Sequence, residues 1–253
     1  MRFPLALRGL PSWTAALAPA AGAVVVVFWR VLVAGEVFGA RDHALFHWPL
    51  KALFVSLVRN SPGLPLWNPF LAAGQPFAAN PQHAVFHPLS ALFLAVPLET
   101  AYRLHILVLV LATVVSGFFL ARSLRLPMAV AAFSAVAWGF GGATMSALHL
   151  VPTLLTSAPL PALLGVAFRL GHRRVRTDVL VFGFLLGMMV LGGDAPVLLM
   201  GLLLAVFAVL HGTRLQDSVE APPIPLARAL GRLLLGGMLG SAIGAATLVP
   251  GLS

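Results

Sequence analysis

The sequence predicts an all-helical fold, a polytopic bundle of about seven transmembrane helices. Its composition is the first reason. Hydrophobic residues make up 60% of the 253 residues and charged residues only 9%, whereas an ordinary soluble domain has about 25% charged residues. The second reason is that the apolar residues form long runs. A chain with so few polar residues cannot cover its surface in water, which excludes a soluble enzyme domain.

Charge and cysteine content exclude further classes. The formal net charge is +9, but the basic residues lie in short gaps between apolar runs and form no continuous basic face. We therefore expect no nucleic-acid partner. The sequence contains no cysteine, so disulfides, a thiol nucleophile and thiolate metal ligands are excluded as well.

The predicted spans follow the apolar runs along the chain. These runs cover residues 14–34, 104–121, 127–147, 151–168, 179–193, 196–211 and 230–249. The first is predicted to be an uncleaved span, since no clear small-residue cleavage site ends it, although a signal peptide is the alternative for this segment. Residues 1–253 are expected to form one membrane domain, in which 104–249 hold the later helices.

The basic residues predict the orientation in the membrane. A cytoplasmic N-terminus places eleven of the sixteen Lys and Arg residues on the cytoplasmic side, as the positive-inside rule requires. They are Arg2, Arg8, Arg122, Arg125, Arg169, Arg173, Arg174, Arg176, Arg214, Arg228 and Arg232. We therefore expect a multi-pass protein of the cytoplasmic membrane with its N-terminus inside.

Residues 35–103 form the longest gap and are predicted to be the first extracytoplasmic loop. Within it, an i, i+3, i+4, i+7 pattern predicts an amphipathic helix over 49–59 that lies on the outer leaflet. Its apolar face holds Leu50, Leu53, Phe54, Leu57 and Val58, and Lys51, Ser56 and Arg59 fall elsewhere on the helix. Residues 60–88 are dense in Pro, Asn, Gln and Gly, which predicts an ordered loop with several turns. Residues 89–96 are too short to span a membrane.

Glycines recur at four-residue spacing in two later runs. They are Gly183 and Gly187 in one run, and Gly236, Gly240 and Gly244 in the other. This GxxxG spacing predicts close helix packing, because small residues let helix backbones approach each other. By itself it indicates no oligomeric state.

The first loop contains the most plausible catalytic group. Asp42 is a carboxylate beside the membrane that could act as a general base, and Arg41, Lys51 or Arg103 could hold a phosphate leaving group. The structural alternative is that Asp42 caps a helix or pairs with Arg41. Spacing alone leaves both alternatives open.

Two histidine pairs in the same loop have i, i+4 spacing, His43 with His47 and His83 with His87. On a helix this spacing would present two imidazoles to a metal ion. Pro49 and Pro88 argue against a continuous helix at either pair. Histidines that simply form hydrogen bonds are the alternative.

One more carboxylate falls at a predicted membrane boundary. Asp194 stands in the sequence Gly192-Gly193-Asp194-Ala195-Pro196 between two apolar runs. It could take part in binding, but a turn followed by a helix N-cap is the favoured interpretation, since proline suits the first helical turn.

Four linked elements in the loop carry a family resemblance. They are Pro65-Leu66-Trp67-Asn68-Pro69-Phe70, Gly74-Gln75-Pro76-Phe77, Asn80-Pro81-Gln82 and Phe86-His87-Pro88. Together they resemble the signature of the YfhO-like family of bacterial membrane proteins. Upstream, Gly39-Ala40-Arg41-Asp42 with Trp48-Pro49 is similar to that family's acidic residue and aromatic-proline step. The downstream matches are looser: His149, Pro159-Leu160-Pro161, with Pro159 where Trp is usual, and Gly192 to Pro196, with Asp194 where His is common.

The resemblance implies a GT-C-type glycosyltransferase in the bacterial inner membrane. Such an enzyme takes a sugar from a polyprenyl-phosphate carrier and delivers it to a cell-envelope acceptor outside the cytoplasm. Asp42 would be the catalytic base. Substrate-binding residues would be Arg41, His43, Lys51, Trp67, Asn68, Gln75, Asn80, Gln82, Arg103, His149 and Asp194. No residue is assigned to a metal and no cofactor is required, although a divalent metal stays open.

The same resemblance implies a longer protein. Family members usually have several hundred more residues, so the chain is expected to correspond to their N-terminal part, and a partner could supply the missing spans. Membrane lipids are the remaining expected partners. The alternative function is a non-catalytic lipid-handling or transport protein, or an inactive fragment that packs with partner helices.

Overall fold

The chain folds mostly into helices in a computed structural model that describes residues 12–60, 63–71, 73–172, 176–214 and 224–248. Arg2, Arg8, Arg173 and Arg174, which contribute to the predicted orientation, lie outside the described residues. The α-helices are α1 (Ser12–Val27), α2 (Trp29–Leu32), α3 (Trp48–Asn60), α4 (Leu92–Ala95), α5 (Leu98–Ser123), α6 (Met128–Gly139), α7 (Gly142–Ala147), α8 (Val151–Ser157), α9 (Leu160–His172), α10 (Thr177–Gly192), α11 (Ala195–Arg214) and α12 (Leu226–Leu248).

Five helical segments of the described chain are long and apolar enough to cross a membrane. They are Leu98–Ser123, Met128–Ala147, Val151–His172, Ala195–Arg214 and Leu226–Thr247. Shorter apolar helices at Leu17–Val27 and Thr177–Gly192 coincide with two other predicted runs. The helical fold is therefore confirmed, and the lengths and composition of these helices support a membrane protein, whereas the count of seven spans stays a prediction.

Two of the long segments are broken near the middle. The run predicted over 127–147 divides into α6 and α7 around Phe140 and Gly141, and α8 ends shortly before Pro159. A Cβ at Gly141 would overlap the Ala137 carbonyl oxygen, so only glycine allows the chain to turn so tightly there. Hydrophobicity alone does not predict these breaks, because the residues before and after each break are similarly apolar.

Helices α10 and α12 pack against each other through the GxxxG glycines. A Cβ at Gly183 would lie 2.8 Å from the Leu239 Cβ, and one at Gly187 would lie 2.7 Å from the Ile243 Cβ. From the opposite helix, Gly240 faces Leu186 in the same way. The predicted close packing is confirmed, and it occurs within one chain.

The helix predicted over 49–59 is α3, and a π-helix at His43–His47 directly precedes it. The Trp48 N–H donates to the His43 carbonyl, which shifts the hydrogen-bond register just before Pro49. The sequence-based expectation that Pro49 interrupts the helix is therefore wrong. A π-turn accommodates the missing proline N–H, and such turns occur frequently at functional sites.

Between α3 and α5, the described residues form short elements joined by turns. Strands β1 (Trp67–Asn68) and β2 (Gln75–Pro76) pair antiparallel in a small hairpin. Two 3₁₀-helices follow at Pro81–His83 and Pro88–Ala91, and α5 then begins at Leu98. Arg103 consequently lies in the second turn of α5.

The loop packs onto the helices around one hydrophobic core. Leu50 and Phe54 of α3, Phe93 of α4, Tyr102 of α5 and Leu155 of α8 are all buried in it. Helix α3 is thus packed against α4 and α5 through Leu50 and Phe54. This packing brings the polar side chains of the loop next to the membrane helices.

Candidate functional site

Lys51, the only lysine in the sequence, is buried beneath the loop. Its ammonium donates hydrogen bonds to the His83 carbonyl (2.9 Å) and to the Ser90 hydroxyl (3.0 Å). It also lies 5.2 Å from the centre of the Phe93 ring. Burial lowers the pKa of Lys51 to about 7. Its position corrects the helical-wheel interpretation, which left Lys51 outside the buried face of α3.

His83 and His87 surround Lys51 on the loop side. The His83 Nδ1–H donates to the Phe77 carbonyl at 2.8 Å, and its Nε2 is buried with no hydrogen-bond partner in the described chain. The His87 Nδ1 accepts from the Leu89 N–H at 3.2 Å, so its Nε2 carries the proton in the neutral ring. Burial, reinforced by the charge of Lys51, lowers the pKa of His87 to about 4.

His105 of α5 completes this group. It is 1% exposed, and its ring nitrogens have no hydrogen bond of normal geometry among the described residues, only a weak one with the Leu89 backbone. Its ring lies 5.3 Å from that of Phe93, the same ring that Lys51 covers. The charges of Lys51 and His87 both act on it. Lys51, His87 and His105 are therefore neighbours, and we call them the donor cluster.

A second histidine group lies one to two turns earlier on the same helix. The His43 Nδ1 and the Tyr102 hydroxyl share a hydrogen bond of 2.6 Å, and the His47 Nε2 accepts from the Val151 N–H at 3.4 Å. Burial lowers the pKa of both histidines to about 4. After burial, the largest contribution to the lower pKa of His43 comes from His149, and the largest to that of His47 comes from His43. The rings of His43 and His47 are therefore neutral at pH 7.

Asp42 lies beside this second group. It occupies the N-cap position of the π-helix, yet its side chain makes no capping hydrogen bond. Within the described chain it forms no ion pair either, so both structural alternatives for Asp42 are unrealised. The half-buried Asp42 carboxylate is near His43 and His47, and its negative charge raises the pKa of both rings, against the larger effect of burial.

The arginines proposed as phosphate ligands are not in contact with that carboxylate. Arg41 is exposed and has a positive φ of 55°, in the turn before the π-helix. Arg103 donates to the Thr100 hydroxyl at 3.3 Å and lies close to Gly35. In the described chain, neither they nor Lys51 has a carboxylate partner.

The hairpin residues predicted to bind substrate lie in a structural unit of their own. Trp67 is 55% exposed and covers Gly74, where a Cβ would lie 2.6 Å from the Trp67 Cζ2. Asn68 is buried, and its side-chain oxygen accepts from the Phe70 N–H at 2.9 Å. Gln75 is half-buried in β2, opposite Asn68. Among the described residues, no hydrogen bond or ion pair links this hairpin to Asp42.

The remaining predicted site residues form a junction between the loop and the bundle. The Asn80 side chain accepts from the Gln82 N–H at 3.0 Å and so caps the first 3₁₀-helix. Asp194 accepts hydrogen bonds from the Val197 N–H (3.1 Å) and from the Thr153 hydroxyl. It is thus the N-cap of α11, the favoured interpretation of this residue.

An open apolar groove of about 390 Å³ runs between α5, α9 and α10. Its lining comprises His87, Leu89, Leu109, Ala112, Val115, Ser116, Phe119, Leu155, Ala158, Pro159, Ala162, Val181, Leu185 and Met188. The stretch of α5 from Leu109 to Phe119 gives it a length of about 15 Å, half the thickness of a bilayer core. One end of the groove reaches His87, a member of the donor cluster.

The histidines offer little to a metal ion. Among the described residues, no group of three or more His, Cys, Asp or Glu side chains is arranged to hold one. The rings of His43 and His47 are 6.4 Å apart between centroids, and each is engaged in a hydrogen bond. The donor set therefore favours hydrogen bonding over metal ligation.

Sequence reasoning missed two residues of the site, Tyr102 and His105. Both stand at the start of α5, where the apolar run begins. An ionisable residue inside a membrane segment is a functional candidate by default, so His105 carried a usable signal. Tyr102 gave none, because a single tyrosine near a membrane boundary is ordinary.

The chain was compared with family models, with curated proteins and with solved structures. No family model matches it, and no curated protein or solved structure matches it significantly. Fold and geometry define it as a helical membrane protein with a buried polar cluster that adjoins an apolar groove.

Proposed function

We propose that the protein is a GT-C-type glycosyltransferase that moves a sugar from a polyprenyl-phosphate carrier to a cell-envelope acceptor on the extracytoplasmic side. One observation carries the proposal. Asp42, a carboxylate without a capping hydrogen bond, begins the helical stretch that leads to the buried Lys51, and His87 beside Lys51 lines an apolar groove. A transferase that uses a lipid carrier needs both features side by side.

The groove suits the carrier chain. It is lined almost wholly by apolar side chains, it is open on one side, and its volume is within the usual range for ligand sites. About 15 Å of α5 is enough for the first isoprene units, and the rest of the chain can extend into the bilayer.

Asp42 supplies the base. It accepts the proton of the acceptor hydroxyl as that oxygen bonds to the sugar C1. The bond from C1 to the phosphate oxygen breaks, and its electron pair leaves with the polyprenyl phosphate. Cationic groups on the loop side stabilise the charge on the departing phosphate. No redox partner is needed, and the proton on Asp42 returns to water.

The distance between Asp42 and Lys51 along the helix limits where the sugar can bind. Asp42 and Lys51 are nine residues apart, about 13 Å along a helix axis. The sugar therefore has to lie along the π-helix between the carboxylate and the phosphate. His43 and His47, both neutral at pH 7, occupy this interval and can offer hydrogen bonds to sugar hydroxyls.

The proposal includes the finer topology. Seven spans, a cytoplasmic N-terminus and a location in the bacterial inner membrane place the loop and Asp42 outside the cytoplasm, where lipid-linked sugars are used. Arg122, Arg125, Arg169 and Arg214, which the structure describes at or beyond helix ends, then lie on the cytoplasmic side. Residues beyond this chain, from a partner or a continuation, can complete the acceptor site.

The test is transfer of radiolabelled sugar from synthetic polyprenyl-phosphate donors to cell-envelope acceptors by the purified protein in liposomes. We expect Asp42→Asn to lower transfer by at least a hundredfold, in line with the usual contribution of a general base. Glu99→Gln is the matched control, because Glu99 is an exposed carboxylate at the start of α5. Native-rate transfer by a folded Asp42→Asn protein would remove the assignment.

The non-catalytic alternative draws on the same groove. A lipid-handling protein would bind the carrier equally well, but it would not need Asp42 without a partner. Lipid binding that is unaffected by Asp42→Asn, together with the absence of transfer by the parent protein, would favour this alternative.

A further inference from the structure

The donor cluster contains more hydrogen-bonding capacity than the described protein uses. Lys51 has three N–H donors, of which two are engaged with His83 and Ser90. The His105 ring has only one weak partner, the Leu89 backbone, and the Nε2–H of His87 makes no hydrogen bond in the described chain. Each of the three side chains is less than 8% exposed.

Such a cluster calls for an anion. A buried cation is normally paired with a carboxylate, and buried polar groups almost always have partners. Here the described chain provides no carboxylate for Lys51. Lys51 and His105 both lie against the Phe93 ring, and the charges of Lys51 and His87 act on His105, so the three side chains, from α3, the loop and α5, are neighbours. Oxygens of one anionic group could accept from all of them.

The apolar groove indicates the chemical class of the anion. His87 belongs both to the donor cluster and to the groove lining, so a ligand whose head meets the cluster has its tail in an apolar channel. A free phosphate would leave that channel empty. We propose that Lys51, His87 and His105 form a subsite for the phosphate headgroup of a single-chain lipid whose tail occupies the groove.

The subsite rests on the proposed function in one respect, namely that a lipid chain occupies the groove. It assigns phosphate recognition to residues that are buried under the loop. The exposed Arg41 is then not a phosphate ligand. His87 donates from a neutral ring and His105 through its ring N–H. Burial lowers the pKa of Lys51 to about 7, and an anion beside it favours the protonated form, which then contributes the charge. A charge-assisted hydrogen bond is stronger than a neutral one, so Lys51 should dominate the discrimination between phosphate and hydroxyl headgroups.

The experiment compares three probes on the full chain in detergent micelles: farnesyl phosphate, farnesol and inorganic phosphate. Binding is followed by tryptophan fluorescence. We expect farnesyl phosphate to bind at least tenfold more tightly than farnesol, and far more tightly than inorganic phosphate. In Lys51→Met the preference for farnesyl phosphate over farnesol should fall to about one, while farnesol binding is kept. Equal binding of inorganic phosphate and farnesyl phosphate would overturn the lipid assignment.

Two further variants keep the test decisive. Arg59→Met removes an exposed charge from the same helix and should leave the preference unchanged. His87→Leu should reduce the preference several-fold, and His87→Gln, which keeps a side-chain N–H donor, should largely restore it. A folded Lys51→Met protein that retains the full preference would refute the subsite.

The result is separable from that of the transfer assay. Phosphate-dependent binding that vanishes in Lys51→Met, with no sugar transfer by the parent protein, supports the subsite and contradicts the transferase. Transfer that depends on Asp42, with an unchanged preference in Lys51→Met, contradicts the subsite and supports the transferase.

Discussion

Two alanine substitutions on α12 test the packing of the bundle with opposite expected signs. A Cβ at Gly240 would lie 2.8 Å from the Leu186 Cβ and 2.9 Å from its Cγ, whereas carbon atoms in contact prefer about 3.5–4.0 Å. Overpacking of this kind costs about 1–3 kcal/mol. At Gly237, one turn earlier on the same helix, no atom lies within 4 Å of the added Cβ. Alanine there should stabilise the helix by about 0.5–1 kcal/mol.

The gain in helix propensity is common to both substitutions, so it cancels when they are compared. We therefore expect the free energy of unfolding of Gly240→Ala to be about 1–3 kcal/mol below that of Gly237→Ala. The assay is reversible denaturant unfolding in mixed micelles, followed by tryptophan fluorescence. Equal stabilities, or a more stable Gly240→Ala protein, would show that α10 and α12 do not pack through this glycine face.

Three other predictions concern the loop and its junction with the bundle. The pKa of Lys51 is about 7 in the folded protein, against an ordinary 10.5. The unfolded chain therefore binds more protons between these pH values, so the unfolding temperature should rise from pH 7 to 10.5. Lys51→Met should abolish this rise. Asp194→Ala should cost about 0.5–2 kcal/mol in denaturant unfolding through loss of the α11 cap, and Asp194→Asn much less. Gly193 has a φ of 84°, and an added Cβ would overlap the Pro81 carbonyl, so Gly193→Ala should destabilise the protein by more than about 1 kcal/mol. An unchanged unfolding midpoint would show that Gly193 does not pack against Pro81.

Much of the fold follows from local pattern. The apolar runs predict the long helices, and the spacing of Leu50, Phe54 and their neighbours predicts α3 to within a residue at each end. The breaks inside 127–147 and 151–168 could not be predicted, because they depend on how close the backbone comes to Ala137 and on where the chain turns at Pro159. Residue hydrophobicity carries no information about such contacts.

The candidate site was predictable only in part. Asp42, His43 and Lys51 belong to the predicted set, and they do lie along one helical stretch. The burial of Lys51 could not be inferred, since it arises when residues 83–93 fold over α3, and that contact joins segments more than thirty residues apart. Asn68 and Asn80 were predicted as ligand contacts, and the structure shows their side chains engaged in local turns.

The most direct test of the account is where one lipid-linked sugar lies on the protein. A polyprenyl-phosphate sugar with a photoreactive group on its first isoprene unit would be cross-linked to the protein in liposomes, and the labelled peptides identified by mass spectrometry. We expect labelling at Leu109–Phe119 of α5 and around Leu185 of α10, and an unlabelled phosphate lipid should displace it. Equal, undisplaced labelling of the exposed residues Leu203 and Phe207 of α11 would mean that the groove is ordinary lipid-facing surface, and would contradict the account.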